Sequence, residues 1–198
     1  MKSWFGIHDG LATAGRIPSI ARAQEYISAI EIAFLILCGA AASSAIGFIK
    51  LGLRIPGHAI LLAMVPVALG FALAPRKHSG FIMSGAALGT AAVFTVAGLV
   101  QYQTGSFVSL CLIGPLADLA LTKVRSGWRL YLGLIAAGIA TNFLALLSRT
   151  IGRLLGLDPS WRPFGSWMTQ SLVTYSLSGA LAGLIVAICF FQFRNRSK

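Results

Sequence analysis

His58, Asn142 and Tyr175 sit within long apolar runs of this 198-residue chain. Each can both donate and accept hydrogen bonds, and an ionisable or amide group inside an apolar run is costly enough in lipid to call for a purpose. Gln101 closes one apolar run, while Arg54 and Arg149 stand at the ends of others. Arg153 follows Arg149, and the connection beyond carries Asp158, Trp161, Arg162 and Trp167. Apolar and aromatic walls with a few convergent polar groups are the ingredients of a small-molecule pocket. Arginine at its mouth favours an anionic ligand, because the guanidinium fork matches carboxylate and phosphate. The competing readings are structural: Arg149, Arg153 and Arg162 as anchors for lipid headgroups, and His58 as a histidine bonded to a helix carbonyl.

Catalytic patterns do not accompany these residues. The chain contains no Gly-rich nucleotide loop, no His-Glu-x-x-His motif and no Gly-x-Ser-x-Gly elbow. His8, His58 and His78 are scattered, with His58 and His78 expected on opposite sides of the membrane, so no shared metal is expected. Cys38, Cys111 and Cys189 each lie in an apolar run, which argues against a disulfide framework or a zinc site and for small apolar fillers. The expectation is a protein that is not an enzyme and carries no cofactor.

The elements that must position these side chains follow from composition. Hydrophobic residues make up 57% of the chain and charged residues 11%, with a mean hydropathy of +0.81. A soluble domain carries about a quarter charged residues, and a disordered chain needs low hydrophobicity, so both classes are excluded. The net charge of +11 is read as loop charge that orients a membrane protein against anionic lipid, since no basic run interleaved with aromatics points to nucleic acid.

A spanning helix needs roughly 20 mostly apolar residues. Six segments qualify, at about 27–49, 55–75, 79–101, 105–122, 128–148 and 170–193, which predicts an all-α, six-helix transmembrane bundle over 27–193. Residues 1–26 form an N-terminal segment without the apolar core of a signal peptide, so no cleavage is expected. Within it 17–26 has the pattern of a short interfacial helix, although an unstructured leader fits as well. Residues 194–198 form a basic tail. Eleven of the sixteen Lys and Arg fall on the side of the two termini, which predicts that both termini are cytoplasmic. At about 1.5 Å per residue, His58, Tyr175 and Asn142 should lie about 5, 8 and 9 Å below the outer boundary.

Glu31 and Asp118 are the two acids within spans, both near the inner side and within reach of Arg76, Lys77, Arg125 or Arg129. Pro66 and Pro115 remove backbone donors inside the second and fourth spans, and Pro115 puts a break within a turn of Asp118. Small residues recur at four-residue spacing at Ala29/Ala33, Ala41/Ala45, Gly85/Gly89 and Gly179/Gly183, where they would allow helices to approach closely.

Chain length, six spans, internal termini and the long connection before the sixth span together resemble the substrate-binding S components of energy-coupling factor transporters. Ala29-Ile30-Glu31-Ile32-Ala33 is similar to the Ala-x-x-x-Ala motif through which such components dock on a transmembrane coupling subunit. Arg54-Ile55-Pro56-Gly57-His58 and Ile113-Gly114-Pro115-Leu116-Ala117-Asp118 also resemble this superfamily. The resemblance implies a subunit of a bacterial-type inner membrane that captures a scarce, vitamin-like solute. A coupling subunit and two ATPases would then topple it, while it hydrolyses nothing itself. The cobalt and nickel binders hold metal with an N-terminal Met-His, whereas this chain begins Met1-Lys2, so no metal is implied. Two other readings stand beside this one: a structural or accessory subunit of a larger membrane assembly, and an intramembrane enzyme using His58 with Asn142.

Overall fold

The computed structural model describes residues 27–49, 59–74, 76, 78–123, 127–156 and 164–196. They form six helices, α1 (Ala29–Phe48), α2 (Ala59–Leu73), α3 (Ser79–Val96), α4 (Thr104–Lys123), α5 (Gly127–Leu154) and α6 (Phe164–Arg196). The architecture is all-helical, and five of the helices are long and apolar enough to cross a membrane. The sixth, α2, is described over 15 apolar residues from Ala59, and residues 51–58 before it lie outside the described residues. Arg54, His58, Trp161 and Arg162, together with the N-terminal segment 1–26, lie outside the described residues.

Each helix packs on two principal neighbours, and the pairs close into a ring in the order α1, α3, α4, α5, α6, α2. Inside the ring α2 buries Ile60, Met64, Val67 and Phe71 against Leu35, Met83, Leu110, Leu134 and Val186 from the surrounding helices. Every helix also leaves large apolar side chains outside, among them Leu37, Val65, Val93, Leu119, Leu147 and Leu177. This inside-and-outside apolarity is what lipid permits and water does not.

Local chemistry sets the helix ends. Ser28 and Glu31 form a reciprocal capping box, with the Glu31 amide donating to Ser28 Oγ at 3.2 Å and the Ser28 amide donating to Glu31 Oε2 at 2.9 Å. Helix α3 stops at Val96, short of the expected 101. Gly98 adopts a left-handed φ of 70°, its amide donates to the Thr95 carbonyl, and the Leu99 amide donates back to Phe94. That pair of bonds is a Schellman stop, which satisfies the last carbonyls where apolar composition alone would continue the helix. Two helices instead run longer than apolarity predicted. Helix α5 continues past Ser148 to Leu154 before Gly156 turns it at a φ of 74°, and α6 begins at Phe164 rather than 170. Backbone hydrogen bonding does not end where the predicted apolar run does, and Arg149 and Arg153 lie on the continuing helix. Helix α6 also takes in Arg194 and Arg196, so most of the expected tail has helical backbone.

Close helix approach rests on glycine at three crossings, one of them Gly39 of α1 against the Met83 backbone of α3. Gly80 of α3 meets Gly114 of α4 backbone to backbone, as Gly138 of α5 meets Gly179 of α6. Of the small-residue pairs expected to pack, Gly179 and Gly183 do so against α5, while Gly85 and Gly89 face open space. Cys38 is buried in the core, whereas Cys111 is exposed on α4, contrary to its expected role as a filler.

Candidate functional site

Polar side chains gather at two ends of the bundle. At the end holding the α5–α6 connection, α5 and α6 run antiparallel and present matching faces. Trp167, Ser171, Tyr175 and Ser178, spaced by three and four residues, stack along one stripe of α6 and are all buried. Asn142, Arg149 and Arg153 answer from α5. Asn142 Nδ2 donates to the Tyr175 carbonyl and to Ser178 Oγ, both at 2.9 Å. Arg149 Nη1 reaches the Tyr175 hydroxyl at 3.5 Å, and the Arg153 guanidinium lies 4.7 Å from the centre of the Trp167 ring. A small apolar cluster of Ala145, Leu146, Trp167 and Tyr175, packed with Val108 and Met168, supports these groups.

The first turn of α4 closes this site from the side. A Cβ on Gly105 would stand 3.9 Å from the Tyr175 hydroxyl and 3.4 Å from the Ala145 carbonyl, so the start of α4 abuts both helices. Helix starts present unsatisfied N–H groups and partial positive charge. The arrangement therefore joins two guanidiniums, a phenol, an indole and a helix N-terminus. Such a set can bind a carboxylate or phosphate and stack a planar ring.

Asn142 and Tyr175 are thus brought together between α5 and α6. Asn142 lies about 18 Å along α5 from its Leu154 end and Tyr175 about 17 Å along α6 from its Phe164 end. The Asn142 amide is engaged in holding α5 to α6. Arg149 is half-buried on the helix, and Trp167 belongs to α6 rather than to the connection. Gln101 is exposed between α3 and α4, next to Tyr102, whose hydroxyl donates to the Ser43 carbonyl of α1 at 3.0 Å. Ser171 and Ser178 were missed. Ser171 Oγ is buried without a hydrogen-bond partner among the described residues, and its spacing from Trp167 and Tyr175 was the available signal.

The opposite end holds the acids. Glu31 pairs with Arg76, with 3.1 Å from Oε1 to both Nε and Nη2, as the sequence allowed. Asp118 is different: instead of reaching a cation, its Oδ2 accepts from the amides of Gly80 at 2.9 Å and Phe81 at 3.3 Å. These are the second and third residues of α3. The helix's own N-cap position, His78, has a left-handed φ of 70° and makes no side-chain cap, so Asp118 supplies from α4 what a local Ser or Asp would. Pro115, three residues before it, sits half-buried inside α4. Ala29 and Ala33 are both exposed on α1. Among the described residues no three His, Cys, Asp or Glu side chains converge as metal ligands.

Comparison of the chain with family models, with curated proteins and with solved structures gave no significant match.

Proposed function

We propose that this chain is an integral-membrane, substrate-binding subunit of a vitamin-type uptake transporter, with both termini cytoplasmic in a bacterial-type inner membrane. The solute is held at the Arg149–Tyr175–Trp167 end, and a coupling subunit with its ATPases engages α1 at Ala29 and Ala33. The observation that supports this reading is the convergence of Arg149, Arg153, Tyr175 and Trp167 between α5 and α6 beside the first turn of α4. The exposed Ala29 and Ala33 at the far end leave a docking face separate from that site. A small anionic solute bearing a planar ring fits these groups best.

One observation favours the second reading, a structural or accessory subunit: the Asn142 amide is spent on the α5–α6 contact rather than turned towards a ligand. Purification of the full chain in mild detergent, followed by native mass spectrometry, separates the two. Stoichiometric retention of a small solute is the expected result; co-purifying membrane subunits with neither solute nor ATPases would overturn the proposal.

A further inference from the structure

An open groove of about 390 Å³ runs between α4 and α5 at the Lys123 end of the bundle, far from the arginine site. Leu116 and Leu119 form one bank, Gly133, Ala136 and Ala140 form the floor, and Lys123 closes one end. The cause is plain in the sequence: α5 places glycine and alanine where a neighbouring leucine would otherwise fill the space, so its backbone forms the floor. From Leu116 to Lys123 the groove extends about 10 Å along α4. One leaflet of hydrocarbon is about 15 Å deep, so the groove covers most of the depth of a single acyl chain.

Among the described residues that line this apolar channel, charge sits only at one end. Lys123 in the last turn of α4 is exposed, as is Arg129 in the first turn of α5, and both lie at the same end of the bundle. We infer that the groove binds one acyl chain of an anionic phospholipid, whose phosphate lies against Lys123. A docked transmembrane helix fits less well. Small residues would have to continue along the whole span, whereas beyond Ala140 the exposed side chains of α5 are Phe143, Leu144 and Leu147. Position in the ring agrees, since α5 stands opposite α1 and α4 opposite α2. The groove therefore opens away from the exposed Ala29–Ala33 face and stays in lipid when that face is covered. The lipid assignment does not depend on what the arginine site binds.

Native mass spectrometry of the full chain in detergent, titrated in turn with phosphatidylglycerol and phosphatidylcholine, tests the assignment. One phosphatidylglycerol should be retained in preference to phosphatidylcholine. Lys123→Gln should weaken the anionic lipid about fivefold, the effect of one basic residue near a phosphate, while leaving phosphatidylcholine unchanged. Ala136→Leu, at an exposed position, should fill the groove and weaken both lipids. Gly85→Leu on the open face of α3 is the control and should change neither. Equal retention of the two lipids, or phosphatidylglycerol binding unaffected by both groove variants, would overturn the inference. So would a dimer that Ala136→Leu abolishes, which would give the groove to a second copy.

Discussion

Asp118 of α4 caps the N-terminus of α3, its Oδ2 lying 2.9 Å from the Gly80 amide. The bond can form because Gly80 and Gly114 let the two helices touch backbone to backbone, and the same crossing places Ser84 Oγ 3.2 Å from the Gly114 amide. Asp118 thereby ties α4 to the start of α3.

Removing that cap should be felt in stability. Asp118→Ala leaves the buried Gly80 amide and the part-buried Phe81 amide without their acceptor and is expected to cost about 1–3 kcal/mol. Asp118→Asn keeps a carbonyl acceptor and should cost less. Thermal unfolding of the purified protein in detergent, followed by circular dichroism, checks the order. Two variants as stable as the parent would show that the interhelical cap does not hold in the protein.

The crossing itself makes a paired prediction. A methyl group on Gly114 would run into the Gly80 carbonyl, whereas one on Gly85 meets nothing. Gly114→Ala should therefore destabilise by about 1–3 kcal/mol as the helices are forced apart. Gly85→Ala should be neutral or gain up to about 1 kcal/mol from lower backbone entropy in the unfolded chain. The same unfolding assay reads both, and shifts of equal size would contradict the assigned faces of α3.

How far the sequence could be read follows from these residues. Apolar run length located all six helices because lipid makes hydrophobicity and helix nearly synonymous. It misplaced their ends, since stops are set by single residues such as Gly98 and Gly156, and since Arg149 and Arg153 belong to a helix that outlasts its apolar section. Glu31 with Arg76 was legible as opposite charge at one depth. Asp118 was not, because its partners are backbone amides, which look the same at every position of a sequence. Nor could spacing tell which small-residue pair faced a helix and which faced lipid, since Gly85/Gly89 and Gly179/Gly183 carry the same pattern.

Asn142 should report on the α5–α6 contact. Asn142→Leu deletes the bonds to the Tyr175 carbonyl and Ser178 Oγ, and interhelical bonds in membrane proteins contribute about 0.6 kcal/mol each, at most about 1.7. Ser178→Ala should cost less, and the double variant should lose less than the sum, because the two residues share one bond. Strict additivity in unfolding measurements would separate them.

Ala29 gives a test at the other end. It is exposed on the first turn of α1, so Ala29→Trp should leave unfolding unchanged. Under the transporter reading it should abolish co-purification with a coupling subunit while solute retention stays intact. Normal co-purification would take Ala29 out of the docking face.

Arg149 carries the strongest prediction about the solute. Its guanidinium is half-buried and touches the Tyr175 hydroxyl, so an anion held there would be bound by a charge-assisted hydrogen bond in partly desolvated surroundings. Arg149→Gln removes the charge and should weaken retention of an anionic solute by about 1.5–3 kcal/mol, roughly 10- to 150-fold. Arg149→Lys restores charge but not the planar fork, so it should recover only part of the loss. Tyr175→Phe removes a single neutral hydroxyl and should cost about tenfold or less. Isothermal titration with the solute identified by mass spectrometry measures all three. The ranking Gln, then Lys, then Phe in severity follows from the chemistry of the site, whereas equal affinity in all three variants would place the solute elsewhere. A loss confined to Tyr175→Phe would instead mean that the ligand is neutral and hydrogen-bonded rather than anionic.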